Sequence, residues 1–151
     1  MNKLILTIAF ASVAIFCRAA DLEAADMMIA GNGPTNITSV VETARAYAFA
    51  FNRTVEVITL PELKKPAAMM FNGCMSLRFV DMPALTNGTE TERALAGIFA
   101  GCQKLESVDL TGIEFATSHI QLPLGVPPTN RKVRFHFKDG IRDASGKVVS
   151  E

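Results

Sequence analysis

A twelve-residue segment occurs twice in this chain, and this repeat constrains the fold more than any other feature of the sequence. The copies run from Phe71 to Met82 and from Phe99 to Leu110, and both read F-x-G-C-x-x-L-x-x-V-D-(M/L). A weaker copy lies upstream of them and begins at Phe49. Repeats with this spacing are typical of proteins whose units bury their apolar faces only against neighbouring units.

The spacing within each copy predicts a tight turn followed by a short strand. Gly73 and Gly101 permit backbone conformations that other residues avoid, so each is placed in the turn. The next apolar residues, such as Val80 and Met82, alternate with other residues and therefore predict a strand with one buried face.

Two further signals predict helices before the glycine turns. Thr89 and Glu92 have the spacing of a capping box, with Thr89 as the cap. Ser39 and Glu42 repeat that spacing and predict a helix over residues 40–51. Each unit is therefore expected to contain a helix or helical turn, a glycine turn and a strand.

The segments 71–83 and 99–110 resemble the BspA-like leucine-rich repeat, whose units read roughly A-F-x-G-C-x-x-L-x-x-V-x-L-P. The resemblance covers residues 48–112. It implies a short α/β solenoid, a right-handed leucine-rich-repeat superhelix with a parallel β-sheet on one face and helical turns or short helices on the other. It also implies a non-enzymatic secreted or cell-surface protein that binds other proteins or host matrix.

The chain is predicted to carry a leader of residues 1–19 followed by one leucine-rich-repeat domain, 20–151. Lys3 precedes an apolar run from Leu4 to Phe16, and small residues around Ala19 suit a signal peptidase. The run has about 13 residues, fewer than the roughly 20 that cross a bilayer. We therefore expect a secreted, periplasmic or cell-surface protein with no membrane span in the mature chain.

Repeats are predicted at about 40–61, 62–83 and 84–112, with C-terminal capping strands over 131–149. Within that cap, Lys138-Asp139-Gly140-Ile141 predicts a hairpin turn, and Ser145-Gly146 predicts a second turn. A solenoid needs closing structure at both ends, which these turns would supply.

Charge and motif content exclude several classes of function. Fifteen Lys and Arg balance fifteen Asp and Glu, whereas a nucleic-acid binder needs a basic excess. The sequence has no catalytic or phosphate-binding motif, so we expect neither an enzyme nor a cofactor.

The two motif cysteines leave alternatives open. Cys74 and Cys102 occupy the same repeat position in neighbouring units, so a disulfide is conceivable. Free, buried thiols are favoured because the motif places a small apolar side chain there. A zinc site that adds His119 and His136 lacks ligand spacing, so no metal is expected.

The outward-facing strand positions are the candidate binding residues. Aligning the copies predicts two exposed rows on the sheet, and a fourth strand extends each of them. A protein, matrix or glycan partner, but no nucleic acid, is expected to bind there, with Phe79 as a contact anchor. The alternative is a short structural or accessory remnant without its own ligand. The rows are Val57, Phe79, Ser107 and Arg134, and Thr59, Asp81, Asp109 and His136.

Overall fold

The computed structural model describes residues 35–150, together with the backbone of two short N-terminal strands. Its strands have two to four residues each, and its single described α-helix has seven. A short 3₁₀ turn spans Phe115–Thr117. The elements are β1 (Ala14–Cys17), β2 (Asp21–Leu22), β3 (Asn36–Ser39), β4 (Thr43–Ala44), β5 (Val57–Thr59), β6 (Phe79–Asp81), α1 (Thr89–Leu95), β7 (Ser107–Leu110), β8 (Arg134–Phe137), β9 (Gly140–Asp143) and β10 (Val148–Val149).

One open, mostly parallel sheet organises the described part of the chain. Its strand order is β1-β3-β5-β6-β7-β8-β9-β10, and a second small sheet pairs β2 with β4. Pairing is parallel from β1 through β8 and antiparallel from β8 to β10. A mainly parallel sheet with few helices agrees with the predicted α/β class.

The register of the central strands follows the sequence repeat. Val57 lies opposite Phe79, and Phe79 lies opposite Ser107, so equivalent positions of successive copies are neighbours in the sheet. On the next strand, Ser107 lies opposite Arg134. The register predicted by aligning the copies is therefore confirmed.

The motif phenylalanines form a column in the core. Phe49, Phe71 and Phe99 are at most 1% exposed, and their ring centroids are 5.5 and 5.4 Å apart. The inward strand positions complete the core beneath the sheet. These are Ile58, Val80, Val108 and Phe135, all with no exposed surface.

The motif cysteines tie each unit to the unit before it. The Cys74 thiol donates a hydrogen bond to the Phe49 carbonyl oxygen at 2.9 Å, and the Cys102 thiol donates to that of Phe71 at 3.1 Å. Both cysteines are free and buried, which confirms the favoured interpretation over a disulfide.

The motif glycines have the left-handed backbone conformation that the turn requires. The φ angle is 71° at Gly73 and 79° at Gly101. A Cβ atom at Gly101 would lie 3.1 Å from the Cα atom of Gly73. The stacked turns thus need glycine both for conformation and for close approach.

The first unit closes the same turn with different residues. Phe51 replaces the glycine with a φ of 61°, and its side chain is 60% exposed. Asn52 replaces the cysteine, and its Oδ1 atom accepts hydrogen bonds from the backbone N–H groups of Thr54 and Val55, both at 3.0 Å. A local side-chain cap therefore replaces the thiol bond of the later units.

The helix predicted over residues 40–51 is wrong, because this segment forms turns and β4. The N–H groups of Ala48 and Ala50 close short turns onto the carbonyl three residues back, and the N–H groups that alternate with them donate to the following unit. The bonds run from Tyr47 to the carbonyl of Ala68, at 3.3 Å, and from Phe49 to that of Met70, at 2.8 Å. Pairing between units has overridden the local helix signal.

The capping box at Thr89 and Glu92 is also wrong in detail. Helix α1 does form, but it begins at Thr89, so that Gly88 is the N-cap residue. No side chain makes a capping hydrogen bond at this end of the helix.

The two C-terminal turns are confirmed. Gly140 follows the hairpin turn between β8 and β9 with a φ of 126°, and Gly146 lies between β9 and β10 with a φ of 84°. Asp139 fastens the hairpin to the loop after β7, because its carboxylate accepts hydrogen bonds from the N–H groups of Phe115 and Ala116. Arg142 pairs with Asp139 at 3.0 Å and lies 4.3 Å from the Phe115 ring centroid.

The predicted leader, residues 1–19, lies mostly outside the described residues. The part that is described is β1, which pairs in parallel with β3. Within the described ranges, no helix has the length and apolar character needed to cross a bilayer.

Candidate functional site

The structure brings all eight predicted site residues together on the outward side of strands β5 to β8. We call this surface the sheet face. Along each strand its residues alternate with buried core residues. Its two rows follow the strand register and are Val57, Phe79, Ser107 and Arg134, beside Thr59, Asp81, Asp109 and His136.

The side chains of the sheet face are half-buried, whereas the sequence predicted exposed rows. Neighbouring strands lie only about 4.8 Å apart, so adjacent side chains cover part of one another. The face is therefore more compact than the alternation alone indicated. A compact, regular array loses little conformational freedom when a partner binds.

Phe79 lies near the middle of the first row, under an ion pair. The Arg78 guanidinium carbon lies 5.2 Å from the ring centroid, within the range of a cation–π contact. The Arg78 Nε atom donates to the Glu106 carboxylate at 2.7 Å. This hydrogen bond and the negative charge of Glu106 raise the pKa of Arg78 above its ordinary value.

The second row has polar side chains with defined partners. The Thr59 hydroxyl donates to the Asp81 carboxylate at 3.1 Å, and the Asp109 carboxylate accepts from the Thr111 N–H at 2.8 Å. Asp109 also lies between Asp81 and His136 in the strand register. Over the ranges that the structure describes, no group of three or more His, Cys, Asp or Glu residues could hold a metal ion.

Sequence reasoning missed a groove of about 690 Å³ at one side of the sheet face. Arg78, Lys104 and Lys132 line it together with Phe79 and Arg134. The sequence did contain a signal for the ion pair in this groove, because Arg78 and Glu106 occupy the same repeat position in neighbouring copies. Opposite charges at equal repeat positions predict a cross-strand pair.

One wall of this groove comes from the loop before β8. The Asn130 side-chain amide donates to the Leu105 carbonyl oxygen at 2.6 Å, which holds the loop against the strand region of the previous unit. The proline-rich stretch before this residue has no repeat pattern, so the sequence alone offered no signal for the contact.

The two motif cysteines are poor candidates for chemistry. Burial raises the pKa of the Cys74 thiol to about 12 and raises that of Cys102 as well. The thiolate is the reactive form of cysteine, and it is scarce at neutral pH when the pKa is this high.

No family model, curated protein or solved structure matches this chain. Functional inference therefore depends on its own residues and their geometry.

Proposed function

We propose that this chain is an exported, short leucine-rich-repeat protein that binds another macromolecule through its sheet face. Its units would form a right-handed solenoid, and the role would be non-enzymatic. The observation that carries the proposal is the regular outward array on β5 to β8, with the half-buried Phe79 near its middle.

Repeated contacts between units support the solenoid part of the proposal. The same three motif positions recur from one unit to the next. The phenylalanines stack, the cysteine thiols bond to the preceding unit, and the glycine turns lie in contact. Stability that comes from identical contacts between neighbours is the defining property of a solenoid.

The geometry of the sheet face supports binding rather than catalysis. Its strands present rigid side chains at regular spacing, which favours recognition of an extended surface. An aromatic side chain near the centre of such an array is a typical energetic anchor. A partially hydrated ring gains apolar contact when a partner covers it.

Site-specific photo-crosslinking tests the proposal. A photoreactive phenylalanine analogue placed at Val57 reports on the sheet face, and one placed at Ala116, in the exposed 3₁₀ turn, is the matched control. Each protein is exposed to the extracellular fluid in which the chain naturally occurs. A defined adduct is expected from the Val57 position and not from the Ala116 position.

The role of the aromatic anchor is tested in the same assay. Phe79→Ala should reduce the yield of adduct by about tenfold or more, as for an interface hot spot. Phe51→Ala makes the same change at a residue that is 60% exposed and contacts the Gly73 turn, so it should leave the yield unchanged. Equal labelling at both probe positions, or no adduct at either, would favour the structural remnant without a ligand.

Export is proposed from the sequence of residues 1–19. The mature protein would then begin at Ala20 and would lack β1, which leaves β3 at the edge of the sheet. N-terminal sequencing of the exported product should start at Ala20 or within a few residues of it. A product that still begins with Met1 would contradict the proposal.

A further inference from the structure

The groove beside the sheet face concentrates positive charge on a chain that has no net charge. Four Lys and Arg side chains line it, together with His136, and one carboxylate, Glu106, opposes them. That carboxylate is already occupied by Arg78 at 2.7 Å. Asp143 lies opposite Arg134 in the strand pairing and interacts with its charge, so the two lysines carry most of the positive charge that is left for a ligand.

Two of these cations are available to a ligand. Lys104 and Lys132 are exposed, and neither makes an ion pair within the part of the chain that the structure describes. The next residue along the chain anchors each lysine, because Leu105 follows Lys104, Val133 follows Lys132, and both of these apolar side chains are buried in the core. Their ammonium groups can reach an anion without breaking an existing pair.

Arg134 forms a more rigid donor in the same groove. Its Nη1 atom donates to the backbone carbonyl oxygens of Lys132 and Val133, both at 3.2 Å. A guanidinium carries five N–H donors, so further donors remain for a ligand carboxylate. Because the side chain is already held, it loses less conformational entropy on binding.

The groove also contains an apolar side chain. Phe79 lines the groove, and Val57 stands next to Phe79 in the same row. Arg78 covers one face of the Phe79 ring, so that face is not free to stack on a sugar. The exposed remainder of the ring can instead pack against an aliphatic side chain.

We propose that this groove binds an extended acidic peptide segment of a partner protein. Its carboxylates would contact Lys104, Lys132 and Arg134, and an adjacent apolar side chain would pack against Phe79. The distance from β6 to β8 is about 10 Å, which accommodates about three extended residues. This proposal rests on the proposed function and specifies the ligand of the same face.

The test uses a fluorescein-labelled peptide of alternating Glu and Leu residues, with the matching Gln and Leu peptide as its control. Fluorescence anisotropy with the full chain should show binding of the Glu peptide only. Added salt should weaken that binding, because the contacts are exposed ion pairs.

Variants locate the binding in the groove. The double variant Lys104→Gln/Lys132→Gln should reduce the affinity for the Glu peptide by about fivefold or more, as expected from the loss of two exposed ion pairs. The double variant Lys138→Gln/Lys147→Gln removes the same charge from exposed residues outside the groove and should have no effect. Thermal melts of both variants should match the parent chain, since all four lysines are exposed.

Three results would overturn the inference. The Glu peptide could fail to bind, it could bind both double variants equally, or a heparin oligosaccharide could bind while the peptide does not. Crosslinking separates this failure from failure of the proposed function. A partner whose adduct depends on Phe79 but not on Lys104 and Lys132 would preserve the binding face and exclude the acidic peptide.

Discussion

Replacing Phe71 with Leu tests whether the phenylalanine column stabilises the stack through ring contacts or through apolar burial alone. Phe71 lies between two rings, with centroid distances of 5.5 Å to Phe49 and 5.4 Å to Phe99. The interplanar angles are 21° and 5°, so both contacts are stacked. Leu keeps an apolar side chain at the position and removes the ring.

The magnitude follows from how many stacked ring pairs each substitution removes. An aromatic pair contributes about 0.5–1.5 kcal/mol beyond its buried area. Phe71→Leu removes two such pairs, whereas Phe49→Leu removes one. Both residues are at most 1% exposed, so the cost of the smaller side chain is similar at the two positions. Phe71→Leu should therefore cost about 0.5–1.5 kcal/mol more than Phe49→Leu.

Urea unfolding of the two single variants and the double variant measures this difference. The slope of the free energy of unfolding against urea should stay constant, which shows that only stability has changed. The double-mutant cycle should give a coupling energy of about 0.5–1.5 kcal/mol between Phe49 and Phe71. Equal costs for the two single variants with additive effects in the double variant would refute the ring-contact explanation.

Three other measurements test the close packing at glycine, the burial of the thiols and the loss of stability at acidic pH. Gly112→Ala should destabilise the protein by about 1–3 kcal/mol in a thermal melt, because a Cβ atom there would overlap the Leu85 carbonyl oxygen. Gly88→Ala should cost less, because a Cβ atom there meets nothing within 4 Å and only the advantage of glycine over alanine as the N-cap residue is lost. A thiol reagent at about pH 8 should label Cys74 only after unfolding, since its pKa is about 12 in the folded chain, and rapid labelling of the native protein would contradict this burial. Burial alone would raise the pKa of Asp139, but the hydrogen bonds that its carboxylate accepts lower this pKa below the ordinary value of 3.8. The ionised carboxylate should therefore stabilise the fold above about pH 4, and this contribution should be lost as the pH falls further. Between neutral and acidic pH, the melting temperature should fall less steeply for Asp139→Asn than for the parent chain. The same dependence on pH in both proteins would exclude this contribution of Asp139.

Local sequence was sufficient to predict the register and the side-chain direction of strands β5 to β8. Equivalent repeat positions place Val57, Phe79 and Ser107 side by side, and the two-residue alternation of a strand decides which side chains are buried. Both signals are contained in a dozen consecutive residues. The turns at Gly140 and Gly146 were predictable for the same reason, since a turn depends mainly on its own few residues.

Only the tertiary structure decided how the longer segments between the parallel strands are arranged. Residues 40–51 carry a helix signal, yet the N–H groups of Tyr47 and Phe49 bond to the next unit, because a stacked neighbour offers carbonyl partners that the isolated segment lacks. The groove likewise joins Lys104 to Lys132, which lie just before strands β7 and β8 and share no local pattern. Parallel pairing of β7 with β8 brings these residues together. The sequence by itself therefore determined the strand register and facing, whose signals are local, while contacts between distant segments required the folded chain.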